Sequence, residues 1–259
     1  MTKTVLVVAA HADDEVLGCG GTIARHADSG DQVQVLIVAE GSTSRQHERD
    51  RAQARDELST LAIAAQTPGS ILGAESVELL DFPDNRLDSL DRLDLIKRIE
   101  ERVQRHQPEC VYVHHAGDVN VDHRRLHEAV VTACRPTPGH VVKRLLSFEV
   151  ASSTEWQPPG SASAFQPNWF VDISDQWERK REALVAYSSE MRDWPHARSL
   201  EAVEHHIHAA APGVSQHLLR KCCAAGIKHG FDAGVLQHPL VFARTSCGQN
   251  PSTTAMSDL

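Results

Sequence analysis

The sequence predicts an α/β fold, a single Rossmann-like three-layer αβα domain built on a mostly parallel sheet. Three observations lead there. A Val-rich apolar run at residues 4–10 and a second run at 33–39 mark strands buried on both faces, and shorter strands are expected at 77–80 and 110–113. Each run is followed by a stretch with helical spacing, and that alternation builds parallel sheets covered by helices. With 259 residues, 41% hydrophobic and 24% charged, the chain has material for one sizeable core.

The elements follow in order. Residues 4–10 form the first strand. Gly18, Gly20 and Gly21 come next, and a helix is expected over about 22–28, ended by Ser29 and Gly30. Residues 33–39 make the second strand, and 45–65 are charged, Ala-rich and helical in spacing. The third strand, 77–80, closes on Phe82, Pro83, Asp84 and Asn85. Leu93, Ile96, Ile99 and Val103 place a helix within 90–106, and Pro108 stops it. The fourth strand covers 110–113 and a helix covers 122–134. Later strands are expected at 142–150 and 169–173, separated by a Ser-, Pro- and Gly-rich loop or lid at 152–167. A helix over 175–191 carries Trp177, Leu184 and Tyr187. Beyond about His205 the pattern dissolves, and 248–259 reads as a frayed tail. The expected organisation is therefore one domain over 1–204 and a divergent segment over 205–259.

Composition excludes several functions. With 26 Lys+Arg against 35 Asp+Glu the net charge is −9, the wrong sign for a partner whose affinity rests on neutralised phosphates. No run of 18 apolar residues is present, so no membrane insertion is expected. The apolar start is too short for a signal peptide. Six cysteines without C-x-x-C spacing read as reduced thiols, and the expected location is cytoplasmic.

Two polar clusters carry the chemistry. His11, Asp13, Asp14 and Glu15 follow the first strand, at the sheet end where ligands bind in such folds. Three consecutive carboxylates repel one another. A cation beside His11 would relieve them, and His and Asp ligands suit a catalytic zinc, Zn2+. The plainer reading is that these acids start a helix and favour its dipole. The second cluster, His114, His115, Asp118, Asn120, Asp122 and His123, follows the fourth strand. Two such clusters at matching strand ends favour the metal site. A rival reading is dinucleotide binding, since Gly18 and Gly20 follow a strand and Glu40 ends the next. Ile23 at the third glycine's place and the three anions oppose it.

The first cluster resembles the A-H-P-D-D-E motif of the LmbE-like (PIG-L type) zinc-dependent de-N-acetylases. Asp118 to His123 is similar to that family's D-x-N-x-D-H motif. The stretches 81–88 and 187–195 also look familial, and the resemblance spans about residues 4–200. It implies hydrolysis of an N-acetyl group on an N-acetylglucosamine-type amino sugar, a small-molecule substrate. By position it implies His11, Asp14 and His123 as zinc ligands, Asp13 as general base and Asp122 as the carboxylate orienting an imidazole. Glu15 is expected to bond backbone amides. Ala12 replaces the motif's Pro. Asn120 stands where other members carry an oxyanion-assisting His, and it is expected to donate a neutral hydrogen bond there. Residues 205–247 depart from the family's usual end. Arg45 and Asn85 are candidate sugar contacts on loops after the second and third strands. His127 follows His123 at ligand-like spacing, and of His114 and His115 only one can face the site. A catalytically idle, sugar-binding member is the alternative that Asn120 and the divergent end motivate.

Overall fold

A computed structural model describes residues 2–41, 43, 50, 55–209 and 221–226. The first half alternates strand and helix: β1 (Thr4–Ala9), α1 (Asp14–Asp28), β2 (Gln32–Ala39), α2 (Arg55–Leu72), β3 (Ser76–Phe82), α3 (Arg92–His106), β4 (Cys110–His114) and α4 (Val121–Ala133). Then come β5 (Arg144–Phe148), β6 (Trp169–Asp172), α5 (Trp177–Ala186), α6 (Leu200–Ala209) and β7 (Lys221–Gly226).

The sheet order is β3-β2-β1-β4-β5-β7-β6. The first five strands run parallel, while β7 pairs antiparallel with both β5 and β6. Residues of β1 explain the layering. Val5 and Val7 face a core shared with Val16, Leu17 and Ile23 of α1, Ala65 and Leu72 of α2, and Trp177 and Leu184 of α5. Leu6 and Val8 face the opposite core with Ile99 and Val103 of α3 and Leu126 and Val130 of α4. Both faces of the strand are dry, which is why its sequence is apolar throughout rather than alternating. Among the described residues no helix is long and apolar enough to cross a membrane.

One correction concerns α1. The first helix begins at Asp14 rather than near residue 22, so Gly18, Gly20 and Gly21 lie within it. Their low helix propensity is overridden by packing. A Cβ at Gly18 would stand 2.3 Å from the Phe148 ring, and one at Gly21 would stand 2.4 Å from Ile173 Cδ1. These glycines bring α1 close against its neighbours, so the fingerprint reading that made them a phosphate loop loses its basis. In an exposed helix Gly→Ala stabilises by about 1 kcal/mol. Here Gly21→Ala is expected to destabilise by roughly 1–3 kcal/mol through overpacking, a reversed sign that chemical denaturation will read.

Of the segment expected to diverge after 205, the described residues comprise the end of α6 and the short strand β7; the rest, with the tail over 248–259, lies outside the described residues. The expected helix at 175–191 is shorter, a 3-10 turn at Ser174–Gln176 leading into α5. Among the described residues Cys19, Cys110 and Cys134 are buried free thiols.

Candidate active site

Strands β1 and β4 are neighbours, but the chain leaves β1 toward β2 and β3 and leaves β4 toward β5. The loops at their carboxyl ends therefore part, and the crevice between them is the place where such sheets bind ligands. The loop after β1 carries His11 to Glu15, and the loop after β4 carries His115 to Asn120.

Asp14 is the hub. Its Oδ2 lies 3.1 Å from His11 Nδ1, 3.1 Å from His123 Nε2 and 3.5 Å from His114 Nε2. It also accepts the His11 backbone N–H at 2.9 Å. Its Oδ1 is buried without a hydrogen-bond partner among the described residues. An orphaned carboxylate oxygen is costly, and a cation would satisfy it. The ligand atoms of His11, Asp14 and His123 lie within 4.8 Å of one another. Two imidazoles and one carboxylate match the three-ligand set that open catalytic zinc sites use, so the residues are compatible with such an ion.

A ring of carboxylates supports both imidazoles. His11 Nε2 lies 3.2 Å from Asp84 Oδ1 and 3.2 Å from Asp122 Oδ2. Asp122 is itself held by the backbone N–H groups of Asn85 and Leu87 at 2.7 and 2.9 Å. His123 Nδ1 lies 3.1 Å from Asp118 Oδ2, and Asp118 accepts from the hydroxyls of Ser153 and Thr154. Ligand histidines need such partners to fix their orientation and basicity.

The electrostatics agree. Burial alone would push the His11 imidazole down, but the bonds to Asp122, Asp14 and Asp84 outweigh it and hold it well above its ordinary range. The same opposition, with burial lowering and Asp14 and Asp118 raising, leaves His123 at about 9. Asp14 resists burial because His123, His114 and His11 surround it, and its carboxyl stays well below the usual range. The cluster draws positive charge, which is the field a dication needs.

Asp13 sits beside this set in a backbone conformation rare for a non-glycine residue, φ 121° and ψ −31°. Such strain costs of order 1–3 kcal/mol and persists only where its surroundings enforce it. Here Glu15 Oε2 accepts the Asp13 N–H at 3.1 Å, and Tyr187 OH donates to Glu15 Oε1 at 2.8 Å. Arg198 Nη1 donates to Asp13 Oδ2 at 2.7 Å. Burial and the charge of Asp14 hold the Asp13 carboxyl well above its usual range despite Arg198. Burial also lifts Glu15, to about 7, over the opposing bond from Tyr187. Removing that hydroxyl in Tyr187→Phe loosens the brace under Asp13. The expected result is a loss of about tenfold in kcat, the size of one bond to a charged group, with metal content retained.

The other sequence candidates separate. Asn120 caps α4, its Oδ1 accepting the Asp122 N–H at 2.8 Å, and its Nδ2 donates to Asn85 Oδ1 at 3.2 Å. Asn85 thus meets Asn120 and Asp122, while Arg45 lies outside the described residues. His127 donates from Nδ1 to the His114 carbonyl at 2.8 Å, away from the ligand set. His114 faces the site, stacked on His123 at 3.8 Å between centroids. The His115 ring instead donates from Nε2 to Ser163 O at 2.7 Å, on the loop expected as a lid. A Cβ at Gly117 would stand 2.1 Å from that same oxygen, so the close approach of the loop requires glycine. Sequence reasoning assigned no role to Asp84, Asp118 or Arg198. Asp118 was within the quoted motif, but Arg198 reaches Asp13 across 185 positions with no local signal.

The chain is similar to known proteins. The family model described as GlcNAc-PI de-N-acetylase (PIG-L) matches residues 6–134. A 4-oxalmesaconate hydratase of Pseudomonas putida is 30% identical over 205 residues, covering 74% of this chain and 76% of the relative. The diacetylchitobiose deacetylase of Thermococcus kodakarensis is 29% identical over 202 residues, covering 73% and 70%. Among solved structures, the 4-carboxy-2-hydroxymuconate hydratase of Pseudomonas putida superposes with a TM-score of 0.68 at 23% identity, over 88% of this chain and 97% of that one. At that identity the likeness speaks for the fold. With the family match over both polar clusters and a relative this similar along three quarters of its length, the chain belongs to the PIG-L (GlcNAc-PI de-N-acetylase) family.

Proposed function

We propose that this chain is a zinc-dependent hydrolase that removes the acetyl group from an N-acetylglucosamine-type amino sugar. The observation that carries the reading is the strained, buried Asp13 beside the His11, Asp14 and His123 set. The family's described activity and the deacetylase relative support it. When bound to those three residues, zinc supplies polarisation of an amide carbonyl and a lowered pKa for water.

The chain's own residues supply the rest. Asp13 accepts a proton from water as its oxygen adds to the acetyl carbon. The same carboxyl then gives that proton to the sugar nitrogen as the C–N bond breaks, releasing a free amine and acetic acid, which gives its proton to water and leaves as acetate. Arg198 fixes the Asp13 carboxylate, and Glu15 with Tyr187 fixes its backbone. Asp122 and Asp118 hold the two imidazoles in their orientations.

The hydratase relative motivates a second reading, addition of water to the double bond of a polycarboxylate. The local charge weighs against it. Asp14, Asp84, Asp118 and Asp122 are all buried at the site, and Arg198, which touches the cluster, already pairs with Asp13. Those carboxylates already engage the imidazoles, and a polycarboxylate would have to find its counter-charge in the ion alone, whereas a neutral sugar amide needs none. The deciding experiment measures metal by elemental analysis in the wild type and in His123→Ala, then assays both substrate types. About one zinc per chain, lost in the variant, with acetate released from N-acetylglucosamine derivatives, is the expected result. Hydration of an unsaturated polycarboxylate without acetate release would favour the second reading. Bound zinc with neither activity would leave a sugar-binding member that does no chemistry.

A further inference from the structure

Six large hydrophobic side chains are exposed among the described residues. Ile63, Leu93 and Val185 sit on α2, α3 and α5. The other three, Val119, Trp156 and Trp194, sit on loops that also carry site residues. Val119 lies between Asp118 and Asn120, Trp156 two positions after Thr154, and Trp194 four before Arg198. Trp156 is 54% exposed and Trp194 is 62% exposed, so both present much of their rings to solvent.

Trp156 is tied to the site from two directions. Its 3-10 turn, Thr154–Trp156, begins with the hydroxyl that donates to Asp118 Oδ2 at 2.7 Å. Its ring meets His196 edge-on at 5.8 Å between centroids. His196 Nδ1 in turn accepts the Arg198 N–H at 3.0 Å, and Arg198 holds Asp13. Because Nδ1 accepts, the neutral imidazole carries its proton on Nε2. The surface beside the site therefore offers a flat aromatic face with a hydrogen-bond donor at its edge.

From this geometry we infer that Trp156 and His196 form a second binding subsite that takes a further pyranose ring, so that the substrate is an oligosaccharide or a glycoside carrying at least two sugars. A pyranose matches the pair. One face presents C–H groups to the negative face of the indole, and its rim presents hydroxyls to the imidazole N–H. An acyl chain would use the ring but leave the donor unpaired. The inference rests on the deacetylase reading, since the acetylated ring must occupy the site for its neighbour to reach Trp156.

Two measurements test it. In turnover, N-acetylglucosamine is compared with its disaccharide. Trp156→Ala is expected to lower the disaccharide-to-monosaccharide ratio of kcat/KM by about tenfold, chiefly through KM, and Trp156→Phe to recover part of the loss. In binding, the disaccharide is titrated into Asp13→Asn protein while tryptophan fluorescence is followed, with and without the added Trp156→Ala change. A quench that vanishes with the indole supports the subsite. An equal loss on both substrates means a structural role only and overturns it. So does a preference for octyl N-acetylglucosaminide over the disaccharide, which would assign the platform to an apolar chain. Trp156-dependent binding without turnover by the wild type would sink the deacetylase reading and leave the subsite standing. Turnover indifferent to Trp156 would do the reverse.

Discussion

Replacing Asp13 with Asn is expected to lower kcat by roughly 10²–10⁴-fold, the range that a positioned proton acceptor contributes, while leaving about one zinc per chain. Asn keeps the shape and an oxygen for Arg198, which now donates to the carboxylate at 2.7 Å, but it cannot take a proton. Zinc content and thermal midpoint measured beside kcat separate this effect from collapse of the site. Full activity in a zinc-loaded Asp13→Asn protein would show that the proton goes elsewhere. The variant also relieves the repulsion that Asp14 exerts on Asp13, so its midpoint is not expected to fall.

The second large effect is on pH. Filling the site displaces protons from His11, held well above its ordinary range, and from His123, at about 9. Where both imidazoles are protonated, the apparent zinc affinity should rise about 100-fold per pH unit, two protons leaving for each ion. The slope should flatten as pH passes 9. Stability without metal moves the opposite way. A raised imidazole contributes fully below its unfolded value of 6.5, and the contribution is lost as pH climbs through about 9, on the order of 3 kcal/mol for His123. Glu15, raised from 4.5 to about 7, acts in the same direction at lower pH. The midpoint of the metal-free protein should therefore fall between pH 6.5 and 9 while the increment given by zinc grows. Calorimetric scans with and without zinc at four pH values test both trends. An increment independent of pH would mean that the imidazoles do not bind the ion.

The parts legible in the sequence share a physical cause. β1 and β4 are buried on both faces, so their apolar runs announce themselves. The polar residues following each run stand out because a buried strand end is a poor place for charge. His11, Asp14 and His123 do converge, and the order of the runs was enough to bring the two clusters together. What escaped is tertiary or runs against propensity. Arg198 meets Asp13 from a distant loop, and Asp84 reaches His11 through the turn after β3. Three glycines within four residues argued for a loop, yet they lie in a helix, where Phe148 approaches Gly18 and Ile173 approaches Gly21 too closely for a Cβ. β7, Lys-Cys-Cys-Ala-Ala-Gly, has neither alternation nor β-branched residues, so nothing local marks it as a strand between β5 and β6.

The backbone at Asp13 has a consequence for anyone engineering this chain. Glycine adopts that conformation freely, so Asp13→Gly relieves the local distortion and removes a buried carboxyl in one step. A library ranked by heat resistance will be drawn to position 13, and on the proposed mechanism each improvement found there discards the reaction. Stabilised versions must therefore be selected with turnover in the same screen. If Asp13 carries the proton as proposed, durability and activity compete for a single residue.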